Sequence, residues 1–144
     1  MTIGPRTMND DQIEAYLAEP RNVVMGTVRK DGSPQLSAIW FVYEHHVFYT
    51  LSYNHSAKIY NIRRDPRVVL CVNAAHPDAR SVTVYGKAQL FDSDHESYAR
   101  INHQLAHRYH DTAEEAEAYL ADASDKNSSV IMIKPYKIIG HDYN

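Results

Sequence analysis

Val23-Val24-Met25-Gly26-Thr27-Val28-Arg29-Lys30-Asp31-Gly32-Ser33-Pro34-Gln35-Leu36-Ser37-Ala38-Ile39-Trp40-Phe41-Val42-Tyr43 is the stretch that decides the fold class. Val23 to Val28 is rich in β-branched residues, and the Asp31-Gly32 pair that follows is a strong signal for a tight hairpin turn. The next run, Gln35 to Tyr43, is therefore expected to return antiparallel. It alternates Leu36, Ala38, Trp40 and Val42 on one face with Gln35, Ser37, Ile39, Phe41 and Tyr43 on the other. Both faces are partly apolar, as in the wall of a barrel.

Outward from this hairpin the strand signals continue. A polar corner at Glu44-His45-His46 separates it from a third strand, Val47 to Ser52, and a fourth runs from Val68 to Val72. Ser81 to Phe91 reads as a long fifth strand in which Gly86 marks a bend or a close backbone approach. Ser129 to Ile139 closes the chain. A short amphipathic helix is expected over Asn9 to Leu17, with Ile13, Tyr16 and Leu17 at helical spacing and Pro20 ending it. Two further helices are expected over Asp94 to Tyr109 and Thr112 to Ala123. Consecutive antiparallel strands with late helices imply a mainly β, barrel-like sheet flanked by helices, and they argue against a βαβ nucleotide-binding fold. Neither a repeat nor a linker interrupts residues 1–144, which read as one domain.

Composition narrows the class further. A chain of 144 residues buries about 70% of its unfolded surface, enough for a core without covalent staples. The single Cys71 lies in the apolar run Val68-Val69-Leu70-Cys71-Val72, so a reduced, buried thiol and a cytoplasmic setting are expected. No apolar run spans a bilayer, and Met1-Thr2-Ile3-Gly4-Pro5-Arg6 lacks the apolar stretch of a signal peptide. A net charge of −3 argues against general affinity for nucleic acid.

The chemically suggestive segment is Ser52-Tyr53-Asn54-His55-Ser56-Ala57-Lys58-Ile59-Tyr60-Asn61-Ile62-Arg63-Arg64-Asp65-Pro66-Arg67. A helix starting near Asn54 or Ser56 and stopped by Pro66 would point its free N–H groups out beside a strand end, where anions bind well. Lys58 falls in the first turn, where the helix dipole disfavours a cation unless an anion sits between them. The plain alternative is a capping Ser56, with Lys58, Arg63 and Arg64 as solvated surface.

His103, His107 and His110 lie at i, i+4 and i+7 on an expected helix, a spacing that could serve zinc or haem iron. No second ligand set accompanies them in the sequence, and Gln104 and Arg108 interleave. A solvated helix face is the expectation, with no metal assigned. Trp40 and the eleven tyrosines are expected in wall and interface packing.

The runs Gly26 to Ser37, Val47 to Thr50, Ser56-Ala57-Lys58 to Asn61, Arg63 to Val68 and Ser81 to Ala88 together resemble the pyridoxamine-phosphate-oxidase-like split β-barrels, most closely their flavin/deazaflavin oxidoreductase branch. The resemblance implies a homodimer with cofactor sites at the subunit interface, each holding FMN or the deazaflavin F420. It aligns Lys58 with the family's cofactor-phosphate lysine and Ser56, beside Ala57, with its helix-start serine. Gln35, Ser37, Thr50 and Ser52 match positions lining the ring and ribityl portion. Asn61 and Arg64 follow on the helix, where Arg64 could meet an anionic tail.

Departures from the pattern redirect the expected activity. True pyridoxamine-phosphate oxidases carry an Arg-Lys pair where this chain has Ala57-Lys58, and basic residues where it has Ile39, Trp40 and Phe41. Their C-terminal Arg and His have no evident counterpart in the segment from Lys134 to Asn144. Vitamin B6 oxidation is not expected. A one-lysine site extended by Arg63 and Arg64 favours F420 over FMN. The implied function is hydride transfer to a small organic substrate, with a non-catalytic flavin or haem carrier as the alternative. No catalytic acid is evident; Tyr53, Tyr85 and His141 are candidate proton donors whose plainer role is structural.

Overall fold

A computed structural model describes residues 4–122 and 127–144. The chain runs β1 (Arg6–Thr7), α1 (Asp10–Ala18), β2 (Asn22–Val28), β3 (Pro34–Ile39), β4 (Val42–Glu44), β5 (Val47–Tyr53), α2 (Ala57–Arg64), β6 (Arg67–Asn73), β7 (Arg80–Phe91), α3 (Ser97–Tyr109), α4 (Ala113–Asp122) and β8 (Ser128–Asp142). All pairings are antiparallel. The strand order is β3-β2-β6-β7-β8-β5-β4, with β1 added along β8. The two end strands, β3 and β4, are neighbours in the chain but do not pair, so the curled sheet is a barrel split at that seam. No described helix is long and apolar enough to cross a membrane. The end of the expected second late helix, at Ala123, lies outside the described residues.

The hairpin forms as its turn residues dictate. Gly32 takes φ +87°, a left-handed conformation that only glycine adopts without strain. Asp31 accepts hydrogen bonds from the Ser33 amide and hydroxyl, and the Arg29 amide donates to the Ser33 carbonyl. At Gly86 the β7–β8 ladder shifts register, and a Cβ there would meet the Lys134 carbonyl oxygen and the Ile133 side chain at 2.8 Å. This is the close backbone approach that the glycine signalled.

The core is the barrel interior. Met25, Phe48, Leu70, Val72, Val82, Val84, Ile131 and Ile133 fill it from the strands, and Ile59 and Ile62 of α2 plug one end. Helix α1 starts in a capping box between Asn9 and Gln12, and it braces the barrel by burying Tyr16 and Leu17. Its C-terminal carbonyls, Leu17, Ala18 and Glu19, all accept from the Arg108 guanidinium of α3 at 2.7–3.0 Å. One side chain thus caps one helix and ties it to another.

Two expectations fail here for tertiary reasons. Gln35 to Tyr43 is not one strand: it breaks at Trp40-Phe41, where the Phe41 amide donates to the Tyr109 hydroxyl. The break changes the pairing, β3 running beside β2 and β4 beside β5, while the faces go on alternating: Phe41 enters the barrel core with Ile39 and Tyr43, and Val42 packs on the other side under Tyr98, Ile101 and Leu105 of α3. Cys71 is exposed, not buried. It pairs with Val24 and Thr83 on the outer face of the sheet, and its neighbours Leu70 and Val72 take the inner face.

Candidate functional site

Helix α2 begins at Ser56, whose backbone is extended, and not at Asn54. Asn54 instead ties the preceding turn to the start of β8: its amide donates to the Asn127 carbonyl and its side chain accepts from the Ser129 hydroxyl. The Ser56 side chain makes no capping bond to the helix amides. Its hydroxyl shares a 2.7 Å hydrogen bond with the Ser52 hydroxyl at the end of β5. An N-cap serine held away from its own helix leaves the first-turn N–H groups for another acceptor.

Lys58 sits in that first turn, half-buried, at the edge of a cleft of about 690 Å³. Among the described residues it has neither a hydrogen bond nor an ion pair, and its burial lowers its pKa with no opposing carboxylate. The other cation among the described lining residues, Arg21, is matched by Asp78 at 3.5 Å. Among the described residues, Lys58 is thus a desolvated positive charge without an ion-pair partner, beside a helix N-terminus. Both features favour an anion.

The cleft opens at the end of the β2–β3 hairpin away from its turn. Val23, Val24, Ala38 and Ile39 form one side, Leu51, Ser52 and Tyr53 of β5 another, and α3 and α4 the roof. Trp40 carries the roof's aromatic wall: it stacks on Tyr109 at 5.0 Å and 3°, meets His110 edge-on at 5.6 Å and leans on Tyr119 at 5.7 Å. Burial, with Tyr53 and Tyr98 nearby, raises the pKa of the Tyr119 phenol, which stays protonated. The wall offers a planar ligand a flat apolar surface.

The structure sorts the remaining sequence candidates by environment. Ser52, Ser56 and Lys58 come together at the cleft edge, with Ala57 exposed between the last two. Gln35, Asn61 and Arg64 form a separate chain under and beside α2. Arg64 donates to Asn61 and to the Val28 carbonyl, Asn61 donates to Thr27, and Thr27 donates to Gln35 at 3.0 Å. Arg64 is thus committed to the end of β2, while Arg63 is exposed near the Tyr60 ring. Thr50 is buried on the inner face of β5. Ser37 also faces inward, opposite Met25, and its buried hydroxyl lacks a partner among the described residues. Arg67 is paired with Asp65, whose carboxyl its guanidinium holds at a pKa of about 2. Of the candidate proton donors, Tyr53 lines the cleft, whereas Tyr85 lies on the outer sheet face and His141 on β8 opposite Thr7.

The aromatic wall escaped the sequence reading as a site feature, because Trp40, Tyr109 and Tyr119 come from three elements. The histidine face is also revised. His110 leaves it: its Nδ1 meets the Ala106 carbonyl oxygen at 2.6 Å and its ring packs on Trp40 and Tyr119. Glu117 of α4 takes its place beside His103 and His107.

The split barrel recurs in solved structures. A conserved hypothetical protein from Mycobacterium tuberculosis superposes with a TM-score of 0.79 at 22% identity, covering 95% of this chain and 86% of the other. A protein described as an F420 reductase gives 0.66 at 23% identity over 87% and 94% of the two chains. A haem storage protein from Vibrio cholerae gives 0.75 at 16% identity over 92% and 94%. At these identities the likeness is one of fold. No curated protein shows a significant match in sequence. The sequence pattern described as pyridoxamine 5'-phosphate oxidase, in contrast, matches residues 9–142, nearly the whole chain, and the protein belongs to that family.

Proposed function

We propose that this protein is a cytoplasmic, homodimeric oxidoreductase that uses deazaflavin F420, with FMN as the alternative, to transfer hydride to a small organic substrate. The observation that carries the reading is Lys58, a half-buried cation with no ion-pair partner among the described residues, in the first turn of α2 at the edge of a cleft large enough for a small cofactor. A dianionic or diester phosphate would accept from the Lys58 ammonium and from the helix amides that Ser56 leaves uncapped, relieving the desolvation of the lysine. When bound, a deazaflavin or flavin ring supplies the hydride chemistry itself.

The chain's own residues supply binding, orientation and shielding. Ser52 and Ser56 position the helix start, the Trp40–Tyr109 stack presents a flat wall, and α3 and α4 screen the cleft from water. The remaining assignments, Gln35, Ser37, Thr50, Asn61 and Arg64, come from the family resemblance. In one chain Gln35, Asn61 and Arg64 act as a brace behind α2. The absence of a second basic residue at Ala57 speaks against vitamin B6 oxidation. The dimer is supported by the outer sheet face, where Leu36 is 66% exposed beside Ala38, Val24, Val69 and Cys71, an apolar patch of the kind association covers.

Fluorescence titration of the purified protein with F420 and with FMN tests the reading. Micromolar binding of F420, with turnover of an enone panel by the reduced cofactor, is expected. Binding of neither cofactor overturns it, and tight binding without turnover assigns the protein as a carrier. A haem carrier would instead show a Soret band on haem addition.

A further inference from the structure

We propose that His103, His107 and Glu117 form a site for one late first-row divalent cation, of the class represented by zinc, which fastens α4 to α3. His103 and His107 are one turn apart, so both rings leave the same face of α3. Their centroids lie 4.2 Å apart. From α4, across the intervening loop, Glu117 brings one carboxylate oxygen to 2.8 Å from His107 Nε2 and 3.5 Å from His103 Nε2. One donor atom from each residue falls within 4.8 Å of the other two.

These separations match what a metal requires. With bonds of about 2.0–2.1 Å to nitrogen and oxygen, tetrahedral ligands stand about 3.3 Å apart. The two measured edges straddle that value. A hydrogen bond between His107 and Glu117 would account for the shorter edge alone. His103, at 3.5 Å, lies beyond ordinary hydrogen-bond reach, and among the described residues it has no hydrogen bond to any group. A shared cation accounts for all three positions at once. Two imidazoles and a carboxylate suit zinc, nickel or copper better than magnesium or calcium, which prefer all-oxygen sets. His103 and Glu117 are exposed and His107 is half-buried, so solvent completes the coordination and a cation enters directly.

The placement gives the site a consequence. Tyr119, two residues after Glu117, packs on His110 and on the Trp40 wall of the cleft. A cation that pins α4 to α3 therefore steadies one wall of the cleft without entering it.

The test uses the full-length protein, stripped with chelator and titrated with zinc, with magnesium as the all-oxygen control. Expected are one zinc per chain, no saturable magnesium binding, and slowed hydrogen exchange over residues 113–122 when zinc is added. His103→Ala, His107→Ala and Glu117→Gln should each weaken zinc binding by about tenfold or more, and His55→Ala should leave it unchanged. All three variants alter partly or fully exposed side chains, and circular dichroism checks that they fold. Absence of one-to-one zinc binding overturns the proposal, as does affinity that survives either histidine replacement. Loss on both histidine replacements but none on Glu117→Gln would overturn the link between the two helices.

Discussion

Replacing Lys58 by methionine should make the empty protein more stable and the cofactor complex weaker. The native ammonium is half-buried, has no ion-pair partner among the described residues, and has a pKa lowered by desolvation. A group whose charged form is disfavoured on folding binds fewer protons in the native than in the unfolded state. Stability is therefore penalised below the folded pKa and recovers as pH rises from that value toward 10.5, the ordinary lysine value. Methionine keeps the apolar stem and removes the charge, so the variant should lose this rise in stability at alkaline pH and gain stability at neutral pH. The effect on binding has the opposite sign. A charge-assisted hydrogen bond to phosphate contributes about 1.5–3 kcal/mol, so Kd should rise about 10- to 150-fold. Because a bound anion raises the lysine pKa again, wild-type affinity should fall as pH climbs through the pKa of the empty site, while Lys58→Met should be nearly flat. Urea unfolding and fluorescence titration, both repeated from pH 7 to pH 10, read the two effects. A variant that binds cofactor like wild type, or an empty variant that is less stable, would refute the reasoning.

Other substitutions probe the frame around the site. Arg108→Ala removes the donor to the Leu17, Ala18 and Glu19 carbonyls and should cost about 1.5–3 kcal/mol in urea unfolding; a change below half a kcal/mol would show that water replaces the cap. Gly86→Val places a side chain where even a Cβ meets backbone at 2.8 Å and should destabilise by about 1–3 kcal/mol or more, whereas Gly4→Val, with nothing within 4 Å of its Cβ, should be neutral by the same assay. Leu36→Glu puts a charge on the exposed outer face and should convert the proposed dimer to monomer in sedimentation; a monomeric wild type would remove the basis for that proposal.

The sequence was most legible where structure is local. The Asp31-Gly32 turn, the Asn9 cap and the Gly86 approach each rest on the conformational needs of one or two residues, and each formed as read. Lys58 was conspicuous because its position in a helix's first turn conflicts with the dipole, an argument that needs only the helix start. Features made by distant partners were hidden. The alternation from Gln35 to Tyr43 runs unbroken through Trp40-Phe41, and nothing in it marks where pairing passes from β2 to β5; there the Phe41 amide donates to the Tyr109 hydroxyl, 68 residues on. Cys71 sits in a run apolar on both faces, so its neighbours in sequence did not disclose which face the barrel would bury. Glu117 is ten residues from His107, across a helix–helix turn whose geometry the histidine spacing did not contain.

The outer sheet face and the cleft are not independent. Val24 and Ala38 pair with each other on the exposed apolar face, and both also line the cleft. Under the proposed dimer, a second copy seated on that face would cover the cleft's rim, shielding Lys58 further from water and strengthening its attraction for an anion. Cofactor affinity and assembly would then be linked: whatever binds the dimer in preference to the monomer stabilises the dimer by mass action, and dilution that dissociates it weakens binding. Leu36→Glu distinguishes this coupling from simple coexistence, because Leu36 lies outside the cleft lining. If the two are linked, the variant binds cofactor more weakly at every protein concentration, and wild-type affinity declines on dilution toward the value of the variant. If affinity is the same in monomer and dimer, the site is complete within one chain, and the apolar face serves assembly alone.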